Sequence, residues 1–206
     1  MPSPPRSAIL LIGFQNDYFS PDGAMHSVIE ENARQNDVLA NTQRLLGAFR
    51  DTVTPFINLP IHFSPGYEEL ARPTGLLAAI RDAGAFRRDT EGGKTIPALL
   101  EYGDRIQHLT GKTSFNAFLG TNLEEHLHDA GIEHVIITGV VTSICIDSTA
   151  RAAAERGFAV TIVRDASAGR NETEHAFYCE SIFPLYAEVV GTEDLLEHAA
   201  DTQIAR

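Results

Sequence analysis

The chain has 206 residues and a formal net charge of −12, with 43% hydrophobic and 21% charged residues. This composition excludes a disordered chain, and the acidic balance argues against a protein that binds nucleic acid through a basic face. The longest apolar run, Ala8 to Ile12, is far shorter than the roughly 20 residues of a membrane span. We expect one cytoplasmic domain, since the start lacks a secretory signal and Cys145 and Cys179 are then more often free thiols than a disulfide.

Apolar runs of strand length alternate with segments of helical spacing along most of the chain. This alternation is typical of βαβ units, so we predict a three-layer α/β/α fold with a mostly parallel sheet of about six strands. The predicted strands are Ser7–Phe14, Val53–Leu59, Asp104–Leu109, His134–Thr138, Ala159–Arg164 and Ala187–Val190. The predicted helices are Ile29–Arg50, Thr74–Ala83, a helix between the capping box Thr121–Glu124 and Gly131, a helix from about Ser143 to Arg156, and Glu193–Ala200.

The stretch Pro60–Gly103 departs from this pattern because it is irregular and rich in Gly, Pro and Arg. It is too long for a plain connection between two elements. We therefore predict a lid or an interface excursion at about 60–103, within a single domain that spans 1–206.

Polar residues follow three of the predicted strands, in the segments Gly13–Asp17, Gly111–Asn116 and Gly139–Cys145. The carboxyl ends of parallel strands meet at one edge of the sheet, where open α/β sheets bind their ligands. The sequence therefore predicts that these three segments form one site.

Cys145 follows a predicted strand and a tight turn, and it stands in the first turn of a predicted helix. The positive end of the helix dipole and the free backbone N–H groups there favour a thiolate, the form that attacks carbon. The same N–H groups suit a developing oxyanion. The structural alternative is a small buried thiol, because Ile144 and Ile146 flank the residue.

Three further residues are candidates for the same edge. Lys112 does not belong to a nucleotide-binding P-loop, because Ile106 stands where that motif requires glycine. A cation at Lys112 would stabilise a thiolate, although a solvated surface lysine is the simpler interpretation. Asp17 is either an acid–base group or an organiser of the turn that follows it, and His62 is either a site residue or a hydrogen-bonded structural imidazole.

The histidines and cysteines give poor metal signatures. His126 and His128 are two residues apart and do not share a helix face, and His175 and Cys179, four apart, have no second pair to complete a site. We predict no metal ion and no cofactor.

Three blocks of the sequence, in their order and spacing, resemble the isochorismatase-like cysteine hydrolases, a superfamily that includes nicotinamidase and N-carbamoylsarcosine amidase. The blocks are Phe14–Phe19, Lys112–Phe118 and Gly139–Cys145. The resemblance implies a parallel sheet flanked by helices and an aspartate–lysine–cysteine triad that acts on carboxamides, ureas and related C–N bonds. Lys112 and Cys145 match two members of that triad.

The resemblance has further implications for the block that ends at Cys145. It implies a cis peptide bond between Val140 and Val141, which turns the amide of Val141 towards the oxyanion together with the amide of Cys145. Relatives commonly form dimers or tetramers, so it also implies a homodimer or homotetramer.

The chain departs from the family pattern at the aspartate, because Gly13 occupies the position of the catalytic carboxylate and Asp17 matches a different acidic position. Three explanations stay open: a group elsewhere (Asp17, His62 or a residue of 60–103) replaces it, the substrate supplies its own acid or base, or the protein binds without turnover. Pro60 stands where the metal-dependent branch has an aspartate, which disfavours a metal ion and nicotinamide. Isochorismate is disfavoured because relatives that act on it generally lack the cysteine.

We predict a hydrolase of a small non-peptide C–N bond (amide, ureido or carbamoyl) that forms an acyl-enzyme on Cys145, with Lys112 holding the thiolate and Asp17 as the candidate acid–base group. The rival hypotheses are a catalytically silent ligand-binding or regulatory protein and, more weakly, a redox sensor that uses Cys145 and Cys179. The expected partner is a small-molecule substrate, with no nucleic acid and no membrane. The predicted substrate contacts are Gly13, Phe14, Gln15, His62, Phe115 and Val140.

Overall fold

The structure, a computed structural model, describes residues 6–197 of the chain. Its centre is a six-stranded sheet with the order β3-β2-β1-β4-β5-β6, in which every neighbouring pair is parallel. The strands are β1 (Ser7–Ile12), β2 (Phe56–Leu59), β3 (Ile106–His108), β4 (His134–Val140), β5 (Ala159–Ala168) and β6 (Glu188–Val190). The helices are α1 (Asn16–Phe19), α2 (Glu30–Gln35), α3 (Val38–Ala48), α4 (Gly75–Asp82), α5 (Pro97–Leu100), α6 (Leu123–Asp129), α7 (Asp147–Glu155) and α8 (Glu172–Phe177).

Both faces of the sheet are covered, which explains the continuous apolar run of β1. Successive side chains of a strand point to opposite faces, so Ile9 and Leu11 join one apolar cluster while Ala8 and Leu10 join another. The first cluster includes side chains of α3, and the second includes side chains of α6 and α7. The predicted three-layer α/β/α fold is therefore confirmed.

Two predicted elements differ from the structure: one strand is longer than predicted, and one helix is divided in two. The strand predicted to end at Thr138 continues through Gly139 to Val140, since glycine adopts the φ of +114° that this part of the strand requires. The predicted single helix Ile29–Arg50 is two helices, because Asp37 has a left-handed φ of +48° that ends the helical path.

The structure also has three short helices that were not predicted, α1, α5 and α8, and the other differences lie at the ends of elements. The helix predicted from Thr121 has Asn122 as its N-cap instead, although the Thr121 hydroxyl accepts from the Leu123 amide at 3.3 Å and donates to the Ala117 carbonyl. The predicted Ser143–Arg156 helix begins as a π-helical turn, Thr142–Ile146. Residues 192–197 are helical, and the rest of the predicted Glu193–Ala200 helix lies outside the described residues. No helix among residues 6–197 is long and apolar enough to cross a membrane.

The segment 60–103 contains α4 and α5 and contributes several buried side chains to the first cluster. These are Ile61, Phe63, Tyr67, Ile80, Ala85, Phe86, Ile96 and Leu99. Its later part runs beside the chain that follows β1, through a bridge between Gln15 and Thr95. The segment therefore completes the core next to the site, and its role as a lid or an interface stays a prediction.

Candidate active site

The site lies at the point where the strand order of the sheet reverses, between β1 and β4. Strands on one side of this point run 1-2-3 and on the other side 4-5-6, and doubly wound sheets bind ligands at the crevice formed there. The last pair in register is Ile12 and Gly139. A Cβ atom on Gly139 would lie 1.9 Å from the Ile12 carbonyl oxygen, so only glycine lets the two backbones approach this closely. The segments after β1 and β4 therefore leave the sheet side by side.

Cys145 lies in the π-helical turn Thr142–Ile146, between the end of β4 and the start of α7. The peptide bond between Val140 and Val141 is cis. The Val141 carbonyl accepts hydrogen bonds from the amides of Ile144 and Ile146, at 3.0 and 3.1 Å. Outside helices and strands, none of the backbone hydrogen bonds of the described residues uses the Val141 N–H as donor. The turn thus leaves this N–H as a candidate donor beside the nucleophile.

The Lys112 ammonium lies 3.3 Å from the Cys145 sulfur. Lys112 is only 1% exposed, and its Nζ also donates to the Ser114 carbonyl at 3.0 Å. The backbone of Lys112 is fixed by hydrogen bonds with Pro60 and His62. A buried ammonium is costly unless a negative group faces it, and among residues 6–197 no carboxylate forms an ion pair with Nζ. A thiolate at Cys145 would supply the missing charge.

Position 13 has no room for a side chain. Gly13 has a left-handed φ of +73°, and a Cβ atom there would lie 2.8 Å from the Val140 carbonyl oxygen. The nearest ring atom is Cε2 of Tyr18, at 3.5 Å from the same Cβ position. The backbone conformation therefore disfavours any side chain at position 13, and the side chain that lies beside this position is a phenol.

Asp17 is buried and bonded to the backbone. Its two carboxylate oxygens accept the amides of Phe86 at 2.6 Å and Ala24 at 3.2 Å. The backbone at Gly92 packs directly against the carboxylate. This arrangement joins three loops, and it occupies both oxygens with backbone donors.

Gln15 and His62 are also occupied by the backbone. The Gln15 carboxamide accepts from the Ile61 amide and donates to the carbonyls of Ile61 and Gly93. The His62 ring uses Nε2 to donate to the Gly93 carbonyl at 2.8 Å, and Gly111 packs against its other nitrogen. Burial lowers the pKa of His62, so the ring is neutral at pH 7.

The two predicted aromatic contacts lie in different places. Phe14 is fully buried in the first cluster and stacks on Phe19, with ring centroids 5.2 Å apart. Phe115 is half-buried against the second cluster. Of the predicted site residues, the structure thus gathers Gly13, Val140 and the Lys112–Cys145 pair at the switch point.

Sequence reasoning missed a set of contacts from α8 to the turn that carries Cys145. The Thr142 hydroxyl lies 2.8 Å from Nδ1 of His175, and the Ser143 hydroxyl donates to Glu174 at 2.5 Å. Cys179 lies 3.6 Å from the other nitrogen of His175. The spacing of His175 and Cys179 was the available signal, but it indicates a shared helix face rather than this partner.

The protonation states of these groups do not suit them to act as acid, base or nucleophile near pH 7. Burial lowers the pKa of His175 and raises that of the Cys179 thiol to about 12. Burial raises the pKa of Glu174, but hydrogen bonds from Arg170 and Ser143 outweigh this effect. The net pKa is below the ordinary value, so the carboxylate stays ionised. Within residues 6–197 no three metal-binding side chains cluster, and both cysteines are free thiols.

Among the surface cavities formed by residues 6–197, two border side chains near the site, and Cys145 lines neither of these two. The larger, about 650 Å³, borders α8 and includes Arg164, His175 and Cys179. The smaller, about 290 Å³, is bordered by Tyr18 and Phe19. Cys145 itself is 3% exposed, so the nucleophile is almost enclosed.

Comparisons with known proteins agree with this geometry. A family model described as the isochorismatase domain matches residues 7–194. The chain is 29% identical over 206 residues to YddQ, an isochorismatase family protein of Bacillus subtilis, with 93% of this chain and 99% of that protein covered. It is 24% identical over 203 residues to the maleamate amidohydrolase of Pseudomonas putida, covering 93% and 86%.

A solved cysteine hydrolase from Pseudomonas syringae pv. phaseolicola has the same fold. The two structures superpose with a TM-score of 0.80, and their sequences are 21% identical. The match covers 98% of this chain and 99% of the solved one. Because the family model spans nearly all described residues, the chain belongs to the isochorismatase family.

Proposed function

We propose that this chain is a cysteine-dependent hydrolase that cleaves a small non-peptide C–N bond through an acyl-enzyme. The observation that carries the proposal is the 3.3 Å contact between the Lys112 ammonium and the Cys145 sulfur, in a place where no carboxylate of the described residues pairs with the lysine. The amidohydrolase among the relatives supports the class of bond. Cys145 is the nucleophile, and Lys112 holds it as a thiolate.

The proposed reaction has two covalent steps. The thiolate attacks the carbonyl carbon, and the amides of Val141 and Cys145 hold the oxyanion that develops. The C–N bond then breaks, the amine leaves and a thioester stays on Cys145. Water hydrolyses the thioester and restores the thiolate.

The burial of the site limits the substrate. A residue that is 3% exposed, beside a lysine that is 1% exposed, is reached by a small molecule rather than by a polypeptide chain. Amides, ureides and carbamoyl compounds of small size are therefore the proposed substrate class. A homodimer or homotetramer in the cytoplasm stays our expectation for the assembly and its location.

A second candidate function is ligand binding without turnover. Position 13 has no side chain, and backbone amides take both oxygens of Asp17. General acid–base catalysis contributes about 10²–10⁴ in rate, so a site without it would bind its ligand and react very slowly.

Turnover of a panel of small amides, ureides and carbamoyl compounds tests the proposal. We expect measurable hydrolysis by the unchanged protein, loss of at least about a thousandfold in Cys145→Ala, and retention in Cys179→Ala, which removes the other buried thiol. Hydrolysis that survives in Cys145→Ala would refute the nucleophile. Binding of panel members without any hydrolysis would favour the silent protein.

A further inference from the structure

Amide hydrolysis needs a group that supplies a proton, because an amine leaves as a neutral molecule only when its nitrogen is protonated. The two groups expected to replace the missing carboxylate are already occupied. Backbone amides take both oxygens of Asp17, and Nε2 of His62 is bonded to the Gly93 carbonyl. Neither group is free to carry the proton, so the remaining side chains around position 13 are the candidates within the chain.

Tyr18 lies beside the position that the carboxylate would occupy. Its Cε2 atom, which is bonded to the carbon that carries the hydroxyl, is 3.5 Å from a Cβ atom built on Gly13. The residue is 1% exposed, and its ring packs against Phe86 with centroids 4.8 Å apart. Its hydroxyl forms no hydrogen bond with any group of residues 6–197. The hydroxyl is therefore free to donate to a bound substrate.

The charges around Tyr18 keep it protonated in the resting site. Burial raises the pKa of its hydroxyl well above the ordinary value, and the negative charges at Cys145 and Asp17 raise it further. The end of β4, which leads to Cys145, borders the same position, because the Val140 carbonyl oxygen lies 2.8 Å from a Cβ atom built on Gly13. A thioester carries no charge. Once it forms, the negative charge at Cys145 that raised the pKa of Tyr18 is gone, at the step in which Tyr18 gives up its proton.

We propose that Tyr18 is the catalytic residue that carries the proton in the hydrolysis, an inference that rests on the proposed function. As the C–N bond breaks, the nitrogen takes the Tyr18 proton, and Cys145 becomes a neutral thioester beside a tyrosinate. Water then bonds to the acyl carbon and gives one proton to the tyrosinate. The C–S bond breaks, which releases the acid and returns both the thiolate and the phenol.

Two substrate types with different leaving groups separate this role from a structural one. A p-nitrophenyl ester expels a phenolate that needs no proton, whereas an amide expels an amine that does. We therefore measure the nitrophenolate burst with p-nitrophenyl acetate and the turnover of the best amide of the panel. The variants are Tyr18→Phe and Tyr67→Phe, the matched control, whose buried hydroxyl donates to the Ala85 carbonyl at 2.7 Å.

For Tyr18→Phe we expect a burst within about twofold of the unchanged protein and amide turnover lower by about 10²–10⁴. Tyr67→Phe should leave both rates within about threefold. Amide turnover by Tyr18→Phe within about threefold of the unchanged protein would overturn the proposal, and so would equal losses of burst and turnover.

The burst also shows that the variant is folded, because it requires an intact Cys145 site. Failure of the proposed function gives a different result, since the unchanged protein would then show no burst, or Cys145→Ala would retain it.

Discussion

Replacing Lys112 by methionine removes the ammonium beside Cys145 and keeps a side chain of similar length in the buried space. Two opposite unit charges 3.3 Å apart attract by about 5 kcal/mol at an effective dielectric constant of about 20. The desolvation of the two ions offsets part of this energy. We expect a net loss of about 3 kcal/mol for the thiolate, which lowers its population roughly a hundredfold.

The rate of alkylation by iodoacetamide at pH 7 measures this population, because only the thiolate reacts. Mapping the alkylated peptide separates Cys145 from Cys179. The control is Lys94→Met, since Lys94 is the other lysine of the chain and its exposed ammonium pairs with Glu91. Equal alkylation of Cys145 in Lys112→Met and in the unchanged protein would refute the role of the lysine.

Three further predictions concern the backbone at Gly13, the contact of His175 with Thr142, and the buried histidines. Gly13→Asp should destabilise the protein by about 1–3 kcal/mol in urea unfolding and should not raise amide turnover, because a Cβ atom meets the Val140 carbonyl at a left-handed φ; a variant of unchanged stability with faster turnover would contradict this. His175→Ala should slow the acylation burst by about 10–100-fold, because the turn that carries Cys145 loses its contact at Thr142, whereas His126→Ala, on the surface, should not. Stability should fall as the pH decreases from 7 to 5, because burial lowers the pKa values of His62, His134 and His175 and the unfolded chain then binds more protons; unfolding free energy that is constant over this range would refute it.

The sheet was predictable because burial on both faces gives its strands continuous apolar runs. β1 and β4 show this pattern over most of their length. The helices were harder to delimit, because α1 and α8 have four and six residues and are too short for a periodic pattern. The break at Asp37 depends on tertiary contacts, since Asn36 and Asn41 bind carbonyls of β5 that no local pattern indicates.

The site was predictable where strand topology decides it. Lys112 and Cys145 are 33 positions apart, and the rule that parallel strands share their carboxyl edge was enough to expect them in one site. The surroundings of Asp17 and His62 were not predictable, because the loop at Gly92 and Gly93 sets them and its path follows no sequence pattern. Tyr18 was missed for a similar reason, as its position depends on how the short helix α1 leaves β1.

Mass spectrometry of the protein quenched during reaction with p-nitrophenyl acetate tests the central proposal most directly. We expect one acetyl group per chain, on the peptide that contains Cys145, and we expect it to disappear as the thioester is hydrolysed. An unmodified Cys145 peptide in a protein that still releases nitrophenolate, or equal acetylation of Cys179, would contradict it.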